Sequence, residues 1–389
     1  MQSLLINSRL QKFVIYKLQR VKIAFVANTC WNIYNFRKGL VHHFLEKGDE
    51  IIVLAPKDEY TTKLQSWGVQ WLDTPLDGTG VNPVKDLVYL SKIQRVFSKE
   101  RPDVALSFTI KSNIYASLAG KLSGVPVICN VSGLGTVFLV KGTSGKAAIM
   151  LYKLAFRFAS HIFFQNEDDQ KLFLSKVPLR QGRFSMLPGS GINLNDYPFS
   201  KKRPSGQLKL LMISRLIIEK GVREFATMCA AFNGDHRVSF TLVGRFDENH
   251  ARTISKAELE GWISNGWLTY HPHTDKIVDM VQEHDAVVLP SYREGTSRTL
   301  LEGAALGRPL IATDVPGCRE VVEDGVNGFL CKRKDADSLT QKVRLFLSLS
   351  HDERETMAMN SRRLVEAKFD EKIVIETYDS TIRQITAST

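Results

Sequence analysis

Four side chains in the second half of the chain have the types and spacing to handle phosphate and sugar: Arg215 and Lys220 in ISRLIIEKG, and Glu294 and Glu302 in EGTSRTLLE. Two cations near a helix N-terminus, where free backbone N–H groups point outward, form a receptor for a diphosphate. The plainer alternative is one surface Arg and one surface Lys. DAVVLPSYREG sets Glu294 and Gly295 just past an apolar run, and residues 296–306 read as a helix ended by Gly307 with Pro309 beyond. The N–H groups of Gly295, Thr296 and Ser297 would then lie unsatisfied at the helix mouth, able to bond phosphate or sugar oxygens. A carboxylate only accepts and a ribose diol offers two donors, so Glu302, in the second turn beside Leu300 and Leu301, suits a ribose. The competing reading has Glu294 capping the helix and Glu302 solvated. In FTLVGRFDE, Gly244 marks a strand end where a nucleotide base can lie against backbone groups.

Holding these groups together requires a scaffold, and the chain alternates strand and helix throughout. Apolar runs at 21–27, 50–56, 69–76, 103–108 and 125–133 read as strands, separated by amphipathic segments at 36–50, 85–100 and 112–124. The pattern restarts with strands at 207–215, 238–244, 285–290, 308–313 and 328–331 and helices at 221–232 and 276–284. Such alternation implies βαβ units and a parallel sheet. The expected fold is α/β, with two doubly wound, Rossmann-like domains facing across a cleft. The first takes residues 1–198 and the second 199–370, joined near NDYPFSKKRPSG, and a last helix (371–389) packs back on the first. NTCWNIYNFR is read as a loop after the first strand, and residues 141–164 as one long helix. In open α/β sheets ligands bind outside the carboxyl ends of the strands.

At 389 residues the chain suits two domains, and its composition is that of an ordinary globular protein. The net charge of +11 is unevenly spread: residues 1–195 hold 25 Lys/Arg against 13 Asp/Glu, and Val104 to Asn166 has no acidic residue. A one-sided basic field points to a polyanionic partner, and no nucleic-acid-binding module accompanies it. Five scattered cysteines without a CxxC pair fit a reducing compartment, with neither a zinc site nor a disulfide framework. No transmembrane run or signal peptide is read, so a cytoplasmic location is expected. The first loop lacks GxGxxG, and VKGTSGKAA fails as a phosphate loop at Val140 and Ala147. Nothing advertises a metal.

EGTSRTLLE together with SRLIIEKG resembles the paired signature of glycosyltransferase family 4, retaining enzymes of the GT-B fold. The likeness spans nearly the whole chain and includes VPGCREVVEDGVNGFLC and LPGSGINLNDY. It implies that Arg215 and Lys220 hold the diphosphate of a nucleotide-sugar donor, that Glu302 binds the ribose, and that Glu294 contacts the donor sugar at the reacting centre. Gly244, Gly295, Thr296 and Ser297 complete the implied donor site, for a UDP-sugar and with no metal or other cofactor. Many members carry a His near the donor sugar. Here CNVSGLGTVF has Ser132 at about that place, leaving Ser132 or the Gly133–Gly135 backbone to serve instead. These features, with KSN at 111–113 and PKDEYTTKL at 56–64, look most like bacterial N-acetylgalactosaminyltransferases that extend polyprenyl-diphosphate-linked sugars in O-antigen, capsule or glycan assembly.

Such an acceptor implies work at an anionic membrane surface, here the cytoplasmic face of the inner membrane. Lys146, Lys153 and Arg157, spaced seven and four apart, would share one face of the 141–164 helix, with Ile149, Leu151, Leu154, Phe156 and Phe158 as apolar surface. The N-terminal arm would add further cations. A mostly buried helix with a few surface cations is the alternative. A nucleotide-sugar epimerase of the same fold, or a non-catalytic nucleotide-sugar-binding membrane protein, remain rival functions.

Overall fold

The computed structural model describes residues 20–76, 82–134, 143–204, 206–248 and 252–387, with side chains from 149 onward in the helix that starts at Thr143. The N-terminal arm up to residue 19, Gly135 and the side chain of Lys146 lie outside the described residues. By internal contacts the chain forms two units. The first comprises Met1–Phe164, Phe173–Ser185 and Ile375–Thr389, and the second Gln165–Leu172 and Met186–Val374.

The first unit is built on seven strands: β1 (Lys22–Val26), β2 (Glu50–Ala55), β3 (Gln70–Asp73), β4 (Val104–Phe108), β5 (Val127–Val131), β6 (His161–Phe164) and β7 (Phe184–Met186). They lie in the order β3-β2-β1-β4-β5-β6-β7, and the pairings from β3 to β6 are parallel. The second unit repeats the plan with β8 (Leu208–Ile213), β9 (Val238–Val243), β10 (Thr269–His271), β11 (Ala286–Leu289), β12 (Leu310–Thr313) and β13 (Gly328–Cys331), in the order β10-β9-β8-β11-β12-β13 and parallel throughout. Central strands covered by helices on both faces become continuous apolar runs. KIAFV and AVVL show this, with Ile23 to Val26 and Ala286 to Leu289 all buried.

Three segments depart from the sequence reading. Cys30–Phe36 is a helix rather than a loop, with Thr29 Oγ1 accepting from Asn32 N at 3.1 Å. Asn and Thr favour turns over helix interiors, but burial of Cys30 and Ile33 holds this one. At Arg37 the backbone breaks (φ −132°, ψ 11°), and Lys38–Glu46 follows as a separate helix. The expected helix over 141–164 stops at Ala155, and residues 161–164 form β6. A continuous apolar run suits either a buried helix or a buried strand. Here Ile162, Phe163 and Phe164 pair with Cys129, Asn130 and Val131 of β5 and are fully buried. Phe156 is buried too, its ring 5.2 Å from both Tyr152 and Phe173, so it offers no outer apolar surface.

The C-terminal helix Glu371–Thr386 gives the first unit its part from Ile375 onward. Tyr378 is buried there, 4.9 Å from the Phe163 ring, and its hydroxyl accepts from Asn130 Nδ2 at 2.8 Å. In the second unit Arg308 is 1% exposed. Its guanidinium donates to the carbonyls of Val281, Gln282, Ser200, Leu306 and Gly307 and to Ser200 Oγ. Burial pulls it down to about 10.

His284, 4% exposed, is bonded to Met280 O at 2.6 Å and Thr241 Oγ1 at 2.8 Å, and burial holds its ring below the usual imidazole range. Burial lowers His161 likewise. A depressed imidazole means that the unfolded chain takes up its protons first, so stability is full above about pH 6.5 and falls as the pH drops below it. The Tm is therefore expected to fall between pH 7 and 5.5, and His284→Gln to flatten that slope. A wild-type Tm unchanged across this window would refute the assignment.

Candidate functional site

In the second sheet the strand order reverses between β8 and β11, the point at which an open α/β sheet leaves a crevice at its strand ends. β8 leads through Ser214 and Arg215 into a short turn of 3-10 helix, Ile218–Lys220, and β11 leads through Pro290 to Glu294. The two loops are laced together, since Tyr292 N donates to Glu219 O at 2.8 Å and Ser291 Oγ donates to the same carbonyl at 3.2 Å. Gly221 permits this fit. Its φ is +73°, and a Cβ there would lie 2.0 Å from Pro290 O. Lys220 and Glu294 consequently meet, Nζ to Oε1 at 2.5 Å, with side chains 21% and 12% exposed.

Glu294 is also held by its backbone, because its N–H donates to Pro316 O at 3.0 Å. The helix beyond it begins at Arg298, later than the sequence reading, and runs to Ala305. Its cap is Ser297, whose side chain accepts from Leu300 N, so Glu294 does not cap it. The Ser297 N–H, expected to be free, is taken by Gly317 O at 3.1 Å. The N–H groups of Gly295 and Thr296 make no hydrogen bond among the described residues. They remain available to an anion or a sugar oxygen.

Glu302 is lodged rather than solvated, its side chain 13% exposed. Its Oε1 accepts from Tyr197 Oη at 3.0 Å and from Arg298 Nε at 2.9 Å, while Oε2 takes no bond among the described residues. Arg298 also donates to Gly191 O at 2.8 Å. Tyr197 is pushed up to about 12, first by burial and then by the Glu302 carboxylate. It therefore stays a neutral donor at physiological pH, and the free carboxylate oxygen is set up to accept.

The remaining predicted residues divide. Arg215 is exposed, and among the described residues its side chain makes no ion pair. The structure thus brings Lys220 to Glu294 but leaves the Arg215 side chain outside that pair. Gly244 closes β9 with both polar backbone groups engaged, by His271 O at 3.1 Å and Tyr270 Oη at 2.9 Å. A Cβ there would lie 1.8 Å from Ser214 O, so the glycine allows close packing behind the Arg215 loop. In the first unit Ser132 is exposed just past β5. Lys153 is exposed on the Thr143–Ala155 helix, and Arg157 is exposed in the turn after it. The supposed common helical face ends before Arg157.

Sequence reasoning missed the bracing around this site. Besides Tyr197 and Arg298, the segment Gln165–Leu172 joins the second unit, although β6 before it belongs to the first sheet. Asn166 Nδ2 donates to Gly295 O at 2.9 Å, and Arg293 pairs with Asp169. Only the helix-start pattern QNEDDQ was visible in the sequence, and it carries no hint of a partner more than a hundred residues away.

The chain matches the model of the glycosyl transferases group 1 over residues 195–364 and that of the glycosyl transferase 4-like domain over residues 36–189. It is 30% identical to the N,N'-diacetylbacillosaminyl-diphospho-undecaprenol alpha-1,3-N-acetylgalactosaminyltransferase of Campylobacter jejuni, over 92% of this chain and 97% of the relative. It is 22% identical to the UDP-Gal:alpha-D-GlcNAc-diphosphoundecaprenol alpha-1,3-galactosyltransferase of Escherichia coli, over 66% and 70% of the two chains. Among solved structures, Anabaena HepE in complex with UDP and glucose matches with a TM-score of 0.76 at 17% identity, covering 94% of this chain and 100% of that one. The sucrose-phosphate synthase of Thermosynechococcus elongatus matches with a TM-score of 0.80 at 17% identity, covering 95% and 100%. These structural likenesses speak for the fold alone.

Proposed function

Since this chain belongs to the group 1 glycosyl transferases, a glycosyltransferase family of GT-B fold, we propose that it moves N-acetylgalactosamine, or a related hexose, from a UDP-sugar onto a polyprenyl-diphosphate-linked saccharide. The setting is the assembly of a bacterial O-antigen, capsule or other glycan. The observation that carries this reading is the Lys220–Glu294 pair at the β8/β11 crevice, with Glu302 lodged nearby on the following helix. The undecaprenyl-linked acceptors named for the Campylobacter and Escherichia relatives support the acceptor class.

In this scheme Lys220, with Arg215, holds the donor diphosphate, and the N–H groups of Gly295 and Thr296 face its oxygens or those of the sugar. The free Oε2 of Glu302 accepts from the ribose diol, whose two donors match it. Glu294 positions the donor sugar. As the anomeric C–O bond breaks, negative charge gathers on the leaving diphosphate, where fixed cations and N–H groups stabilise it most. The acceptor hydroxyl arrives on the face that the diphosphate leaves, so the anomeric configuration is retained. Its oxygen forms the new bond and its proton passes to the departing phosphate. These donors carry the positive charge that a metal would otherwise supply.

The decisive experiment is a panel of UDP- and GDP-sugars with and without a polyprenyl-diphosphate monosaccharide, with NMR of the product. Acceptor-dependent release of UDP and an unchanged anomeric configuration are expected. Turnover without acceptor would indicate an epimerase, and no turnover in any combination a binding protein.

The acceptor lipid implies attachment to the cytoplasmic face of the membrane. No described helix is long and apolar enough to cross one. The Thr143–Ala155 helix instead exposes Met150, Leu151 and Leu154 beside Lys153, a mixture suited to an anionic interface. Each cation near such a surface contributes about 1 kcal/mol. Changing Lys146, Lys153 and Arg157 together to Glu is expected to weaken sedimentation with anionic vesicles by roughly a hundredfold or more. Unaltered sedimentation would rule out this contact.

A further inference from the structure

The residues on either side of Glu294 are tied to one short segment distant in sequence. Arg293, just before it, pairs with Asp169, and the carbonyl of Gly295, just after it, accepts from Asn166 Nδ2 at 2.9 Å. Asn166 and Asp169 are each 1% exposed. They also bond to each other, Asp169 N donating to Asn166 Oδ1 at 2.8 Å at the start of the Glu167–Lys176 helix. The bracket therefore consists of two mutually bonded residues that hold the chain neighbours of Glu294 on both sides.

The ion pair within it is a poor device for stability. Asp169 Oδ2 and Arg293 Nε are buried without a hydrogen-bond partner among the described residues. Desolvation of a buried pair often exceeds its mutual attraction, and well-packed apolar replacements are commonly as stable or more so. A pair with an unsatisfied remainder, placed beside a carboxylate at the donor crevice, makes better sense as a means of fixing position.

We propose that Asn166 and Asp169, acting through Gly295 and Arg293, are positioning residues that fix Glu294 for transfer. This rests on the donor-site reading above. Displacing a reacting group by about 1 Å can cost about 10²-fold in rate.

The test compares the double variant Asp169→Leu/Arg293→Met with Asn166→Ser. Serine keeps the helix cap but cannot reach Gly295. Each variant is assayed for kcat and KM with the UDP-sugar that supports wild-type turnover, for UDP binding by calorimetry, and for Tm. Expected are an unchanged or raised Tm for the double variant, UDP affinity within about twofold of wild type, and kcat lowered by about 10²-fold. Asn166→Ser is expected to lower kcat about tenfold with KM little changed. Wild-type kcat in folded Asn166→Ser, or a kcat loss matched by an equal loss of UDP affinity, overturns the proposal. Glu294→Ala run in parallel separates the two readings. If it retains activity, the donor-site assignment fails. If it collapses while both bracket variants stay active, only the positioning role fails.

Discussion

Lys220→Ala is expected to lower kcat by roughly 10²–10³-fold, the usual loss when one group that stabilises a leaving charge is removed. The substitution also strips Glu294, only 12% exposed, of the cation that meets it at 2.5 Å, so the carboxylate loses its orienting partner as well. Tm should fall as well, because removing the cation leaves a carboxylate only 12% exposed without its partner. Single-turnover kinetics with saturating UDP-sugar, together with thermal unfolding, check both halves. A rise in KM with kcat preserved would mean that Lys220 binds ground state and transition state alike. Unchanged kinetics would remove it from the site.

The largest effect on stability is expected from Arg308→Ala, at about 3 kcal/mol or more, because each buried acceptor left without a donor costs about 1–3 kcal/mol. The guanidinium bonds five carbonyls and one hydroxyl. The variant removes this donor from all six, and among the described residues only Val281 O, Leu306 O and Gln282 O keep another, from His284 N, Ser200 N and Lys202 Nζ. The oxygens that Arg308 bonds come from the Ser200 stretch, the end of the Ile277–Glu283 helix and the end of the Arg298–Ala305 helix, so the segment entering β8 loses its fastening to both. Urea unfolding should show a lower midpoint with little change in slope. An unshifted midpoint would mean that water or a rearranged chain satisfies those oxygens, and would refute the role.

Much of the fold was legible because buried parallel strands are short apolar runs bounded by glycine, proline or charge, as in VKIAFVA and DAVVLP. The errors fell where that signal is degenerate. HIFF follows the helix after FRFAS, with no glycine or proline to mark the break, and the edge strand Thr269–His271 has three residues, too few for a pattern. NTCWNIYN carries turn-forming side chains yet is helical, because packing of Cys30 and Ile33 outweighs local preference. At the site, spacing marked Arg215, Lys220, Glu294 and Glu302 only as candidates, and the family resemblance gave them their roles. Most groups around them could not be read the same way: Tyr197, Asn166, Asp169 and the Pro316–Gly317 carbonyls reach Glu302 or the residues at and beside Glu294 only through the folded topology, whereas Arg298 is a local i,i+4 partner of Glu302. The unfilled N–H at Ser297 was misjudged for the same reason, since its acceptor lies twenty residues further along the chain.

Neither unit is a contiguous stretch of sequence. A gene fragment starting at the linker near residue 199 would encode most of the second unit without Gln165–Leu172, and so without its anchor for the Glu294 loop. A fragment stopping there would lack Tyr378 and the hydrogen bond that Asn130 Nδ2 donates to it. Isolated halves made by simple truncation would thus be misleading reagents for ligand-binding work. A faithful second unit would need the short upstream peptide grafted back, for instance by circular permutation.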